Sequence, residues 1–242
     1  MEIASQAHVP VPTIRATGMW QDHSVLLLSW CSGKPLWEVI RQYPWRVGSL
    51  GLDFGRTQAR IHQIPSRPCW QEQQAEWITW AGVDDHCLRT ALQQVIDPAP
   101  ALLHLDYHPL NVLTDGKHIT AVLDWANTRV GDPRADVART YTILMVEPYT
   151  PRRQPLLLSM VRRFLTLSWR RGYEQVMGKQ SDMAWFYVWA GVVMVRDLGP
   201  RVGNPQSWWQ PQHLEQIQKW AAKRKQRAER LGQKEAPKGC ST

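Results

Sequence analysis

The chain predicts an α+β fold, with a few strands near its start, one β-hairpin in its middle and a mainly helical remainder. Three observations predict it. Short apolar runs of strand composition lie between residues 13 and 30. Two further runs, Asn111–Thr114 and His118–Leu123, flank the turn signal Asp115-Gly116-Lys117. Apolar residues then recur at three- and four-residue steps over residues 50–64 and again after Pro133. With 242 residues, 43% of them apolar and 21% charged, the chain can bury a substantial core without disulfides or structural metals, which excludes disorder as its main state.

Each element follows from local signals. His8–Pro12 alternates Pro with Val and leads, extended, into a strand around Thr13–Thr17. Gly18–His23 reads as a turn, and Val25–Trp30 as a short buried strand ended by Ser32-Gly33-Lys34-Pro35. A helix can start at Leu36 and reach Tyr43. Leu50, Phe54, Thr57, Ile61 and Ile64 give one apolar helical face, stopped by Pro65 and Pro68. Glu72–Leu92 is mixed, partly helical and rich in Trp. Beyond Pro133 the expected helices are Asp136–Met145, Leu156–Gly172 stopped by Gly172, Ala184–Leu198, and Gln212–Leu231.

Charge and cysteine usage narrow the function classes. The net charge is +8, but residues 201–242 hold nine Lys/Arg against three acids and so carry +6. The first 200 residues are nearly neutral. The basic end reads as a solvated helix end and tail, because no base-stacking or groove-reading motif accompanies it, and a nucleic-acid partner is not expected. Cys31, Cys69, Cys87 and Cys240 lack zinc-site or redox spacing. The first residues lack a basic region followed by an apolar run, so reduced thiols in a cytoplasmic protein are expected. The longest apolar stretch, Ala184–Val195, is too short for a bilayer, and no membrane partner is expected.

The chemistry concentrates at HLDYHPLNVL, residues 104–113, and LDWANTRVGDPRADVAR, residues 123–139. An antiparallel hairpin brings its open ends together. Asn111 opens the first strand, Asp124 closes the second, and Asp106 lies on the loop just before. Three oxygen-bearing side chains therefore converge through local geometry alone. Such a set suits phosphoryl transfer, which needs a carboxylate at the attacking hydroxyl and hard oxygen ligands for Mg²⁺. A set of Asp and Asn on loops is otherwise ordinary turn chemistry.

The spacing His104-x-Asp106, four residues, Asn111, then Asp124 resembles the aminoglycoside phosphotransferase and choline kinase family, the small-molecule branch of the protein-kinase-like fold. GDPRADVA at 131–138 resembles the segment after the family's second metal ligand. LLLSWCSGKPL at 26–36 resembles its hinge between lobes, and VPVP at 9–12 the entry to the preceding strand. The resemblance spans roughly residues 5–200. It implies an ATP-dependent phosphotransferase (or one using another nucleoside triphosphate) with Mg²⁺, acting on a hydroxyl of a small-molecule acceptor. Asp106 would be the catalytic base. Asn111 and Asp124 would bind Mg²⁺. His104 would brace the catalytic loop, and Asp136 would anchor it. Backbone groups of Ser29 and Cys31 would face the adenine.

The sequence departs from the family pattern at Leu105, where Gly is common, and carries Trp125-Ala126 where protein kinases have Phe-Gly. No lysine precedes Lys34, and Glu2 is the only acid near the place of the family's helix glutamate. On the resemblance, residues 1–31 are expected to be a partial N-lobe and hinge, 32–222 a helical C-lobe, and 223–242 a flexible basic tail. Weak ATP binding is expected with it, and the alternative is a kinase-like remnant acting as a binding module. Aminoglycosides are polycations, yet only seven acids follow residue 140; choline-like, sugar and amino-alcohol acceptors stay open. Other conspicuous residues have plainer readings. His62 is expected to be structural, the Trp-rich C-terminal half to be core more than a cage for a quaternary ammonium, and Asp84-Asp85 to be a solvated loop.

Overall fold

A computed structural model describes residues 1–67, 70, 75–82, 86–96, 99–146, 156–204 and 209–235, with side chains to Leu231. Asp84 and Asp85, Cys69, Cys240 and Trp208 lie outside the described residues. Eight helices and seven strands appear among those described: α1 Glu2–Gln6, β1 Ile14–Trp20, β2 His23–Leu28, β3 Lys34–Pro35, α2 Leu36–Gln42, α3 Val47–His62, α4 His86–Val95, β4 Ala101–Leu103, β5 Val112–Thr114, β6 Ile119–Val122, β7 Arg129–Gly131, α5 Pro133–Val146, α6 Leu156–Met177, α7 Ala184–Leu198 and α8 Pro211–Glu235. The α+β class expected from the sequence is the observed one.

Three small antiparallel sheets organise the strands. β1 pairs with β2, β5 lies between β3 and β6, and β4 pairs with β7. The β1–β2 turn is Gln21-Asp22, both residues at positive φ (45° and 61°), the pattern of a type I′ hairpin turn. The expected turn at Gly18–His23 is therefore shorter, and strand continues through Trp20. The expected burial of Val25–Trp30 also fails: every residue of β2 is exposed, and Trp30 is 93% exposed. Apolar composition specified a strand there but could not supply a second layer to cover it.

The β5–β6 hairpin keeps the Asp-Gly signal, with a loop longer than two residues. Asp115 Oδ1 accepts the N–H groups of Lys117 and His118 (2.7 and 2.8 Å), closing the loop as an Asx turn. The chain start leans on this hairpin, since the Val122 N–H donates to the Pro10 carbonyl (2.7 Å).

The main core joins α2, α3, α6 and the hairpin; Leu36, Ile40, Leu50, Phe54, Ile61, Val112, Val122, Leu165 and Trp169 are all buried in it. α3 and α6 touch backbone to backbone. A Cβ built on Gly55 would lie 1.9 Å from the Trp169 carbonyl oxygen, and one on Gly172 2.1 Å from that of Leu52. Gly172 thus does not stop α6, which runs on to Met177; it lets the two helices meet. A second core packs Trp77, Leu88, Leu103, Phe186 and Trp189 together. Trp77 meets Trp189 edge-on at 4.8 Å, so Trp189 is core.

α8 continues as regular helix through Glu235, where a flexible tail had been expected from Lys223. The Arg224 guanidinium sits over three rings, Tyr141, Tyr187 and Trp220, at 5.0–5.7 Å. An aromatic box does form, and the chain's own cation fills it. Among the described residues, no helix is long and apolar enough to cross a membrane.

Candidate active site

The paired strands β4 and β7 set the site. The loop 104–111 leaves β4, and the loop 124–128 returns into β7, so the ladder between Leu102 and Val130 ties the two loops together. The Leu123 N–H donates to the Asn111 carbonyl (2.8 Å), joining the hairpin's open ends. Asn111 Nδ2 donates to both the backbone oxygen and Oδ2 of Asp106 (3.1 Å each). With its amide hydrogens turned to Asp106, Asn111 keeps Oδ1 for another partner. Asp124 is exposed at a positive φ of 56°, with only a long 3.5 Å contact from the Ala126 N–H to its Oδ1. The structure therefore brings Asp106, Asn111 and Asp124 to one place, as the hairpin argument required.

Beneath them lies a buried scaffold. Asp136 is fully buried, and its Oδ1 accepts the Leu105 N–H (2.7 Å) while Oδ2 accepts the His104 N–H (3.3 Å). The same Oδ2 meets His62 Nε2 at 2.9 Å and Gln58 Nε2 at 3.1 Å. Burial alone would raise the Asp136 pKa; hydrogen bonds and charge from His62, the charge of His104 and the Gln58 amide outweigh it and hold the carboxyl below its ordinary value. Gln58 also accepts from Trp169 Nε1 (2.8 Å), and His62 Nδ1 meets the Tyr173 hydroxyl at 2.7 Å. The expected structural role of His62 is what these bonds describe. Gln58 escaped the sequence reading, although a glutamine on the apolar face of α3, four residues before His62, is a legible signal of a buried polar network.

Leu105 explains its own departure from glycine at the cost of strain. Its φ is 61°, a left-handed conformation that L side chains resist. Asp136 holds its N–H, and Arg139 Nε donates to its carbonyl (3.3 Å). Its side chain is fully buried.

His104 is fully buried, and burial lowers its pKa below 6.5. Nε2 lies 2.9 Å from the Leu123 carbonyl, and Nδ1 accepts the Asp106 N–H (3.3 Å). Only the neutral ring with hydrogen on Nε2 satisfies both contacts. His108 Nε2 lies 3.7 Å from Asp106 Oδ1, and burial lowers its pKa as well. Just beyond β2, Ser29 and Thr13 exchange two hydrogen bonds, Ser29 N–H to the Thr13 carbonyl (2.8 Å) and Thr13 N–H to Ser29 Oγ (2.9 Å). Cys31 Sγ contacts the Ser29 carbonyl at 3.9 Å. The next residues dock on the hairpin, with Thr120 Oγ1 donating to the Ser32 carbonyl (2.7 Å).

A cavity of about 440 Å³ opens beside Asp106 and His108. Arg139, Arg196, Asp197 and Arg201 also line it. None of these four was singled out from the sequence as a site residue. Arg139 stands three residues after Asp136 in the GDPRADVAR segment, and that proximity was the available signal.

The phosphotransferase enzyme family matches residues 1–175. The chain belongs to that family. Solved structures agree on the fold. A Ralstonia eutropha protein assigned as an aminoglycoside phosphotransferase is 17% identical, with a TM-score of 0.62 over 94% of this chain and 79% of that one. A thermostable mutant of aminoglycoside phosphotransferase APH(4)-Ia, solved with AMP-PNP and hygromycin B, is 16% identical, with a TM-score of 0.59 over 95% and 79%. The amicoumacin kinase hAmiN, solved with AMP-PNP and Ca²⁺, is 14% identical, with a TM-score of 0.59 over 93% and 75%. No curated protein matches the chain. The fold is thus the protein-kinase-like fold of the aminoglycoside phosphotransferases.

Proposed function

We propose that the protein transfers the γ-phosphoryl group of ATP to a hydroxyl of a small molecule. The observation that carries this reading is the convergence of Asp106, Asn111 and Asp124 on loops tied by one ladder and one buried carboxylate. Asp106 accepts the acceptor's hydroxyl proton. Neutral His104 and His108 leave its carboxylate free to do so. Asn111 Oδ1 and the Asp124 carboxylate are hard oxygen donors that would hold Mg²⁺. When bound, that ion neutralises charge on the nucleotide phosphates. The backbone of Ser29 to Cys31 supports the adenine. Residues 1–31 then form one wall of the nucleotide cleft and residues 32–222 the other. The solved neighbours with AMP-PNP and divalent metal support the cofactor assignment.

Titrating AMP-PNP into the chain with and without Mg²⁺ tests the metal assignment. Mg²⁺ should tighten binding at least tenfold in the parent and leave the Asp124→Asn variant nearly unchanged. An equal Mg²⁺ effect in both would remove Asp124 from the metal site.

A further inference from the structure

The cavity beside Asp106 is lined by more guanidinium groups than carboxylates. Three guanidinium groups, Arg139, Arg196 and Arg201, face two carboxylates, Asp106 and Asp197. One of the carboxylates is taken, since Arg139 Nη2 is paired with Asp197. The other, Asp106, is reserved for the reacting hydroxyl on the reading above, and the present inference rests on it. Arg139 is 5% exposed, and its Nη1 is buried with no hydrogen-bond partner among the described residues. A buried guanidinium N–H without an acceptor is costly unless a ligand completes it.

Arg196, at the end of α7, is fixed from one side only. Its Nη1 donates to the Trp80 carbonyl (2.5 Å), which leaves its other N–H groups for the cavity. Arg201 lies on the short turn that follows, Gly199–Arg201. Neither pairs with a carboxylate among the described residues. His108 adds no negative charge, and burial keeps it neutral.

We infer that the acceptor is a hydroxylated anion, a polyol of sugar size bearing a carboxylate or phosphate that Arg139, Arg196 and Arg201 bind. The cavity volume suits a molecule of that size. Guanidinium forks match both anions in bidentate geometry. The anionic group lies against the arginines, and the molecule presents a hydroxyl to Asp106. In the step itself the hydroxyl oxygen forms a bond to the γ-phosphorus and the β,γ-bridging P–O bond breaks. ADP leaves, and the hydroxyl proton passes to Asp106. A polycation in the same place would meet two guanidinium groups, Arg196 and Arg201, that no carboxylate among the described residues offsets.

Calorimetric titration of the full chain with gluconate, glucose 6-phosphate, glucose and hygromycin B tests the inference, with MgATP-dependent phosphorylation of each followed in parallel. At least one of the two anions should bind tenfold or more tightly than glucose, and which one does identifies the anionic group. Arg196→Gln and Arg201→Gln, both at exposed positions, should each reduce that binding to the level of glucose. Glucose or hygromycin B binding as tightly as both anions would overturn the inference, as would undetectable binding of both anions or anion binding indifferent to both arginine variants. Anion binding without transfer from ATP would contradict the phosphotransferase reading and leave the arginine site standing. Transfer to hygromycin B or glucose in preference to both anions would do the reverse.

Discussion

His104 ties the protonation of one buried ring to the position of Asp106. Its Nδ1 accepts the Asp106 N–H, so a proton at that nitrogen removes the bond. Its folded pKa lies below the ordinary 6.5 because of burial. Above pH 6.5 the ring is neutral folded and unfolded, and it contributes nothing to the pH dependence. Below pH 6.5 the unfolded chain takes up a proton that the folded chain refuses, so stability falls with falling pH. The limit is about 1.4 kcal/mol per pH unit for each such group. His108 acts in the same direction. Thermal denaturation between pH 7 and pH 5 should show a falling midpoint, with a shallower fall in His104→Gln than in the parent; equal slopes would remove His104 as a source. Asp136 acts in a lower window, its depressed pKa giving stability that is lost as pH falls through its folded value below 3.8.

Leu105 poses a contest of magnitudes. Its left-handed φ costs about 1–2 kcal/mol, which glycine would recover. Its fully buried side chain contributes about 2–5 kcal/mol by comparison with truncated core leucines. Burial wins, so Leu105→Gly should lower stability to chemical denaturation despite matching the family's usual residue. Asp106, Asn111 and Asp124 were legible in the sequence because hairpin register is a local property. The partners of Gln58 and Arg139 were not, because they lie 78 and 34 positions away, on Asp136 and Leu105.

Among the elements, α3 and α6 show what periodicity misses. Apolar spacing located α3, but Gly51 and Gly55 carry no hydrophobic signal, and they mark the face where α6 lies closest. Glycine at position 172 reads as a stop in sequence and works as a contact in the structure. Gly55→Ala and Gly172→Ala force backbone apart and should each cost about 3 kcal/mol or more, at the upper end of overpacking effects. Gly48→Ala, where an added Cβ meets nothing within 4 Å, should instead stabilise α3 by about 0.5–1 kcal/mol. Urea denaturation of the three variants checks both signs. The β1–β2 hairpin gives the complementary lesson. Its strands were legible from composition, but its exposure was not, because burial depends on what lies across a sheet and not on the strand.

For the whole molecule, the +8 net charge separates into a nearly neutral body and a basic last helix. That helix is anchored, with Ala228 and Ile217 buried and Arg224 in its aromatic box. Arg224→Ala should cost about 1–2 kcal/mol, the range of a partly desolvated cation–π contact. A loss within experimental error would make the box incidental. The α+β class and the β5–β6 hairpin were legible because they arise from local patterns. The arginine-lined cavity was not, because it is assembled from α5, α7 and the turn after α7.

On the proposed function, this hairpin performs phosphoryl transfer with Asp106 as the base. The most direct measurement compares phosphomonoester formation from MgATP by the parent chain and by Asp106→Asn, on whichever acceptor the parent uses, at saturating nucleotide. A loss of at least about 100-fold is expected in the variant, the lower range for removing a general base, with AMP-PNP binding retained. Equal rates in the two proteins would contradict it.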